Sequence, residues 1–216
     1  MAVSRLTEYK PREKTMPDYS IESSLYDQGF SAVCGVDEAG RGPLCGPVFA
    51  AACILPVGLE IEGLNDSKKL TAKKREKLFD VITKEAVAYC IAEASVEEID
   101  ELNILEADLL AMRRAIDGLA VKADFAIIDG NIARDFQIPA KAVIKGDAVS
   151  MSIAAASILA KVSRDRICDD LDKAYPEYGI AKHKGYGTKA HMDALRQYGP
   201  SPIHRKKFIR FLDEEK

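Results

Sequence analysis

Asp37 and Glu38 close a short apolar run at residues 31–36 (SAVCGV), and Ala39-Gly40-Arg41-Gly42 follows at once, which puts two acids at a strand end beside glycine-rich backbone. Asp129 closes a second run at 125–128 (FAII), and Asp147 stands after Gly146, 18 positions further on. Ionised acids at the end of a buried strand are costly unless they are paired or bound to a cation. If these ends converge, four carboxylates meet and their repulsion demands cations; hard oxygen donors suit Mg²⁺ or Mn²⁺ rather than zinc. Two such ions about 3.5–4 Å apart are a common device for phosphodiester hydrolysis, one activating water and one stabilising the leaving oxygen.

Each acid also has a local explanation. Asp129 before Gly130 suits a turn, Asp147 suits a helix N-cap, and Asp165 within Arg164-Asp165-Arg166 suits an ion-paired structural acid. His183, His191, His204 and the five cysteines show no metal-ligand spacing. Gly40-Arg41-Gly42 begins a dinucleotide-loop pattern, but its third glycine position is Cys45.

The elements that must position these residues alternate along the chain. Residues 31–36 and 48–55 read as two strands of a hairpin joined by the Gly-rich stretch 40–46, followed by a helix at 71–85 and a strand at 86–92. Ser95 and Glu98 form a capping box. Leu105, Leu109, Met112 and Ile116 recur at helical spacing, and 125–128 is a short buried strand. A long helix is expected over 148–171, with a small-residue face suited to close packing on a sheet, and a further helix over 188–198. The expected architecture is an α/β sheet of mixed direction with a C-terminal helical element. It divides into an N-terminal extension (1–30, loosely packed), a core (31–174) and a C-terminal helical region (175–216).

With 216 residues, 47% hydrophobic and 30% charged, the composition is that of a globular protein and excludes a disordered chain, a fibre or a disulfide-stapled miniprotein. The cysteines are odd in number and mostly sit in apolar runs, as reduced core thiols of a cytoplasmic protein do. Residues 1–20 lack the apolar centre of a secretory signal, and no apolar run reaches the ~20 residues of a membrane span. The net charge of −3 hides an asymmetry: residues 181–210 hold eight Lys and Arg against Asp193 alone, so +7 there leaves −10 elsewhere. A second basic run, 68–77, has six cations against Glu76. Two positive patches on an acidic protein suit a polyanionic partner, although a run such as 73–77 is equally what the solvated face of a helix looks like.

The run 35–44 (GVDEAGRGPL) with Gly46-Pro47-Val48 resembles the signature of ribonuclease HII, the type 2 ribonuclease H. Further matches follow in the family's order: 65–70 (NDSKKL), 127–130 (IIDG), 145–165 from Lys145-Gly146-Asp147 to Arg164-Asp165, 183–188 (HKGYGT) and 201–205 (SPIHR). The resemblance implies a ribonuclease H-like mixed sheet flanked by helices. It also implies an enzyme that cleaves RNA within RNA–DNA hybrids and 5′ of single ribonucleotides in duplex DNA, leaving 3′-hydroxyl and 5′-phosphate ends; a monomer is expected. It assigns the metal ligands, for Mg²⁺ or Mn²⁺, to Asp37, Glu38, Asp129 and Asp147. Contacts near the 2′-hydroxyl and scissile phosphate fall to Gly40, Arg41 and Gly42, backbone phosphates to Lys68, Lys69 and the basic tail, and junction sensing to Tyr186. Cys45 stands where many relatives have alanine. A hybrid-binding module without catalysis would explain the basic patches but leave four acids facing a polyanion, and a small-molecule metal phosphatase would leave the basic tail unexplained.

Replacing Lys206 and Lys207 by alanine is expected to weaken binding to hybrids of every sequence about equally and to lower the salt slope of log K by roughly one for each phosphate that is no longer neutralised. Binding titrations across a salt series measure this; an unchanged slope would return the pair to solvated surface.

Overall fold

The computed structural model describes residues 16–214 apart from 66, 68 and 69. Lys68 and Lys69, both assigned to backbone phosphates above, therefore lie outside the described residues. In chain order the elements are α1 (Ser20–Asp27), β1 (Val33–Ala39), β2 (Val48–Ile54), α2 (Ala72–Glu85), β3 (Ala88–Ala94), α3 (Val96–Leu102), α4 (Ile104–Asp117), β4 (Phe125–Asp129), β5 (Ala140–Val143), α5 (Met151–Ala174), α6 (Ile180–His183), α7 (Lys189–Tyr198) and α8 (Phe211–Glu214). One five-stranded sheet runs in the order β3-β2-β1-β4-β5. β1 and β2 form the expected antiparallel hairpin, β3 continues it antiparallel, and β4 and β5 join parallel on the other side. The sheet is mixed and flanked by helices, as expected.

Strand alternation divides the core into two layers. Cys34 and Val36 of β1, with Val48, Ala50, Ala52 and Ile54 of β2, pack with Ala107, Leu109, Ala111, Met112 and Ala115 of α4. Ala51 and Cys53 face the other way, onto Ala154, Ala155, Ile158 and Leu159 of α5 and Leu78 and Ile82 of α2. The small residues of α5 permit a close approach: a Cβ on Gly35 would lie 2.2 Å from the backbone carbon of Ser152.

Side chains cap four of the helix starts. Thr71, Ser150 and Thr188 cap α2, α5 and α7 through their side chains, and Ser95 and Glu98 complete the capping box of α3. The cap of α5 is Ser150, not Asp147, which occupies a single 3₁₀ turn, Gly146–Ala148, ahead of the helix. β1 is also longer than its apolar run and carries Asp37 and Glu38 inside the strand.

The loose packing expected for the N-terminal stretch does not hold for its described part. Glu22 on α1 is fully buried, and its Oε1 accepts from Ser150 Oγ (2.6 Å), Ser152 Oγ (2.6 Å) and the Ser152 backbone N–H (3.0 Å). Asp18 pairs through its backbone with Val149 and Met151. An isolated acid in a polar stretch gives no periodic signal, so this clamp on the start of α5 is not legible in the sequence. Nor is β5, because its four residues are only half-buried or exposed and edge the sheet.

Gly35→Ala is expected to destabilise the protein by about 1–3 kcal/mol, because the methyl meets backbone on α5. Urea unfolding reads the change, and an unaltered midpoint would show that α5 yields freely.

Candidate active site

Val36 of β1 pairs with Ile128 of β4 in parallel register, so the next residue on each strand is an acid, Asp37 and Asp129. Carboxylate oxygens of Asp37, Glu38 and Asp129 lie within 4.8 Å of one another, the only all-carboxylate group of that kind among the described residues. Asp147 does not join that group, but its turn is tied to it: the Gly146 N–H donates to Asp129 Oδ1 at 2.6 Å, and Asp147 is itself buried. The turn reading of Asp129 thus gives way to a carboxylate that holds the segment carrying the fourth acid.

Asp37 lies on the α5 side of the sheet, where its Oδ1 accepts from the Glu38 backbone N–H at 2.7 Å and the Ser157 hydroxyl stands nearby. Ser157 Oγ is in turn 2.9 Å from Ser67 Oγ. Burial, then the charges of Glu38 and Asp129, pushes the Asp37 carboxyl well above the usual range. Burial raises Glu38 too, with Asp129 adding to it and Arg41 opposing. Arg41 sits between two acids, 3.7 Å from Glu38 and 3.6 Å from Asp108. Asp108, on α4, is 2% exposed, and burial and the charge of Glu38 push its carboxyl up to about 8 against the pull of Arg41. The hydrophobic spacing of α4 hides this acid, which sits one place before the core residue Leu109.

The glycine loop is shaped by two buried arginines. Arg205 donates to the carbonyls of Gly40 (2.7 Å), Arg41 (3.0 Å), Pro43 (2.9 Å), Gly46 (2.9 Å) and Pro47 (3.2 Å). Arg164 donates to the carbonyls of Lys184 (3.0 Å) and Cys45 (3.4 Å). Gly40 has φ +104°, and a Cβ there would lie 2.1 Å from Arg164 Nε. Arg205 belongs by sequence to the basic tail expected to take phosphates, but it is fully buried and holds the protein's own carbonyls instead. Net charge per segment cannot tell a buried guanidinium from a solvated one. Asp165 is ion-paired as expected, to Lys161 (2.6 Å) and Arg75 (3.4 Å).

A cleft of about 270 Å³ opens among Glu38, Gly40, Gly42, Ser157, Lys161 and Tyr186. Tyr186 is half-exposed at its rim, and a Cβ on Gly42 would be 3.4 Å from its ring. The structure therefore gathers Asp37, Glu38, Asp129, Gly40, Arg41, Gly42 and Tyr186 around one end of the sheet, with Asp147 adjoining. A larger hollow of about 630 Å³, between residues 16–19 and 60–64, contains none of these acids. Among the described residues no helix is long and apolar enough to cross a membrane.

The model of the ribonuclease HII family matches residues 34–211. The chain belongs to the ribonuclease HII family. It is an endoribonuclease, similar to the ribonuclease HII of Desulfitobacterium hafniense (57% identical over 87% of this chain and 72% of that one). It also resembles that of Caldicellulosiruptor saccharolyticus (53% identical, covering 89% and 94%). Among solved structures, ribonuclease H2 from Pyrococcus horikoshii superposes with a TM-score of 0.70 at 31% identity, covering 86% of this chain and 98% of that one. In this ribonuclease HII, the three gathered carboxylates could hold a metal ion, and their oxygen donors fit a hard divalent cation.

Asp108 holds a proton in the fold that the unfolded chain releases near pH 4, and Asp37 and Glu38 are shifted in the same direction; without metal the folded state therefore binds more protons, and the part of its stability owed to Asp108 falls as pH rises from about 4 towards about 8. Asp108→Asn is expected to raise the melting temperature progressively across that window and to leave it unchanged at pH 4. Thermal melts in EDTA measure this; a gain independent of pH would break the assignment.

Proposed function

We propose that this ribonuclease HII hydrolyses the RNA strand of RNA–DNA hybrids and nicks duplex DNA on the 5′ side of single embedded ribonucleotides, leaving 3′-hydroxyl and 5′-phosphate ends. The observation that carries the reading is the placement of Asp37, Glu38 and Asp129 beside a cleft whose other walls are a glycine loop and a half-exposed tyrosine. Acids in that position repel a nucleic acid unless a cation intervenes, which argues against a module that only binds.

Asp37, Glu38, Asp129 and Asp147 would hold Mg²⁺ or Mn²⁺. Divalent cations there supply an activated water and neutralise the departing 3′-oxygen. The chain's own residues do the rest. The Glu38 N–H orients the Asp37 carboxylate, and the Gly146 N–H orients that of Asp129. Gly40 and Gly42 lack the Cβ atoms that would keep a sugar away from the loop backbone, while Arg41 and Lys161 place positive charge near the scissile phosphate. The Tyr186 phenol offers a hydrogen bond to the 2′-hydroxyl, and its ring tests the following deoxyribose for a missing oxygen. Lys68 and Lys69, which follow the buried Ser67 in sequence, and the exposed Lys206 and Lys207 take backbone phosphates. Residues 175–216 serve as the substrate-binding region of a monomeric, cytoplasmic enzyme.

A labelled duplex with one ribonucleotide, incubated with Mg²⁺ or with EDTA, tests the reading. Cleavage is expected only with metal, and Asp37→Asn and Asp147→Asn are expected to abolish it while leaving the melting temperature unchanged or higher. Near wild-type cutting by either variant would sink the four-carboxylate assignment.

A further inference from the structure

All three histidines of the chain lie in the C-terminal region, and none of them lines the cleft. Their sequence spacing shows no pattern, yet the fold stacks them behind Tyr186. His191 is fully buried and His204 is 3% exposed. The Ser201 backbone N–H donates to His204 Nδ1 at 3.1 Å, so that nitrogen carries no proton and the neutral ring is protonated on Nε2. His204 Nε2–H then donates to His191 Nε2 at 3.1 Å. The proton of His191 is thereby left on Nδ1, from which it donates to the Tyr186 carbonyl at 3.0 Å. One assignment of protons satisfies all four ring nitrogens.

We propose that His191 and His204 are positioning residues: a buried two-imidazole relay runs from the Ser201 amide to the Tyr186 carbonyl and fixes the tyrosine ring against Gly42. The inference rests on the reading of Tyr186 as the group that senses the ribonucleotide junction. The remaining contacts of this segment leave it little freedom. The Tyr186 carbonyl also accepts from the Thr188 N–H (2.8 Å), the Tyr186 N–H donates to the His183 carbonyl (3.0 Å), and the Gly185 carbonyl accepts from the Leu44 N–H (2.8 Å). His183 stacks on His191 with centroids 4.5 Å apart and donates from Nε2 to the Tyr178 carbonyl at 2.9 Å. The Tyr178 ring meets His204 edge-on at 4.6 Å. The His191 ring is thus clamped between a neighbour's face and the two hydrogen bonds that define its tautomer.

Cys45 Sγ and the two imidazoles lie close enough together for a soft metal ion. The hydrogen bonds favour the relay instead, because the Ser201 amide occupies the Nδ1 lone pair of His204 and leaves a proton, not a lone pair, on the Nε2 that would have to ligate. Burial also drives His204 down to about 4 and the Cys45 thiol up to about 12, so the relay is uncharged at neutral pH.

Two substrates separate positioning from a purely structural role: a DNA duplex with one ribonucleotide and a uniform RNA–DNA hybrid. His191→Phe fills the space without the donor, and its single-ribonucleotide-to-hybrid ratio of kcat/KM is expected to fall roughly three- to tenfold. His191→Asn, whose amide nitrogen sits near the position of Nδ1, should restore most of that ratio, and His191→Phe added to Tyr186→Ala should cost nothing further. A folded His191→Phe with a wild-type ratio, where Tyr186→Ala alone has lost it, overturns the relay; so does an Asn variant as impaired as Phe. A Tyr186→Ala that keeps the ratio means instead that the junction reading has failed. Imidazole ¹⁵N spectra of the wild-type protein then decide the relay by themselves: His191 protonated on Nδ1 and His204 on Nε2 supports it, and any other pattern, including Nε2 coordination of stoichiometric zinc, overturns it.

Discussion

Two carboxyl groups set side by side by strand register are the constraint around which this protein is organised. Adjacent strands in a sheet lie roughly 4.8 Å apart, and the parallel pairing of Val36 with Ile128 carries Asp37 and Asp129 into neighbouring places at its end. Register cannot slip to relieve the repulsion, because one step would exchange the two buried faces of β1 and bring a side chain against the α5 backbone that Gly35 alone clears. The surroundings answer locally. The Glu38 amide donates to Asp37, the Gly146 amide to Asp129, and Arg41 lies between Glu38 and Asp108. None of these replaces a cation, so without one the site relieves its repulsion by holding protons, at a cost in stability that the apolar layers of α4 and α5 must cover.

The second requirement is a loop of backbone held open without side chains of its own. Arg205 meets it by distributing one guanidinium over five carbonyls between Gly40 and Pro47. Only arginine offers enough donors in a planar fork for this; a lysine could satisfy at most three acceptors from a single point. Burial beside Arg164 lowers Arg205 to about 10, which still leaves it charged at neutral pH.

Much of this is legible in the sequence, and the reasons are local. The β1–β2 hairpin follows from two apolar runs around a Gly-rich connection, α3 from its capping box, and α4 from apolar residues at helical spacing. Asp37, Glu38 and Asp129 are visible because acids ending apolar strands are unusual. What stays hidden depends on contacts distant in the chain. Glu22 meets Ser150 and Ser152, Asp108 meets Arg41, and Arg205 meets residues near position 40. Each looks like an ordinary surface charge until the chain is folded. The histidines are the extreme case, with a spacing that signals nothing and a geometry that admits one arrangement of protons.

Arg205 also sets a timetable. Its partners at Gly40 and Gly46, together with the Gly46 amide bonded to the Ile203 carbonyl, lie about 160 residues upstream, so the loop is tied down by residues translated after every other part of the site. Domains begin to fold during synthesis from the N-terminal side, and the sheet with its acids emerges long before residues 203–205 do. Until those residues emerge, the loop beside the acids lacks the five hydrogen bonds of Arg205. The backbone that borders the cleft is thus fixed after the acids it adjoins.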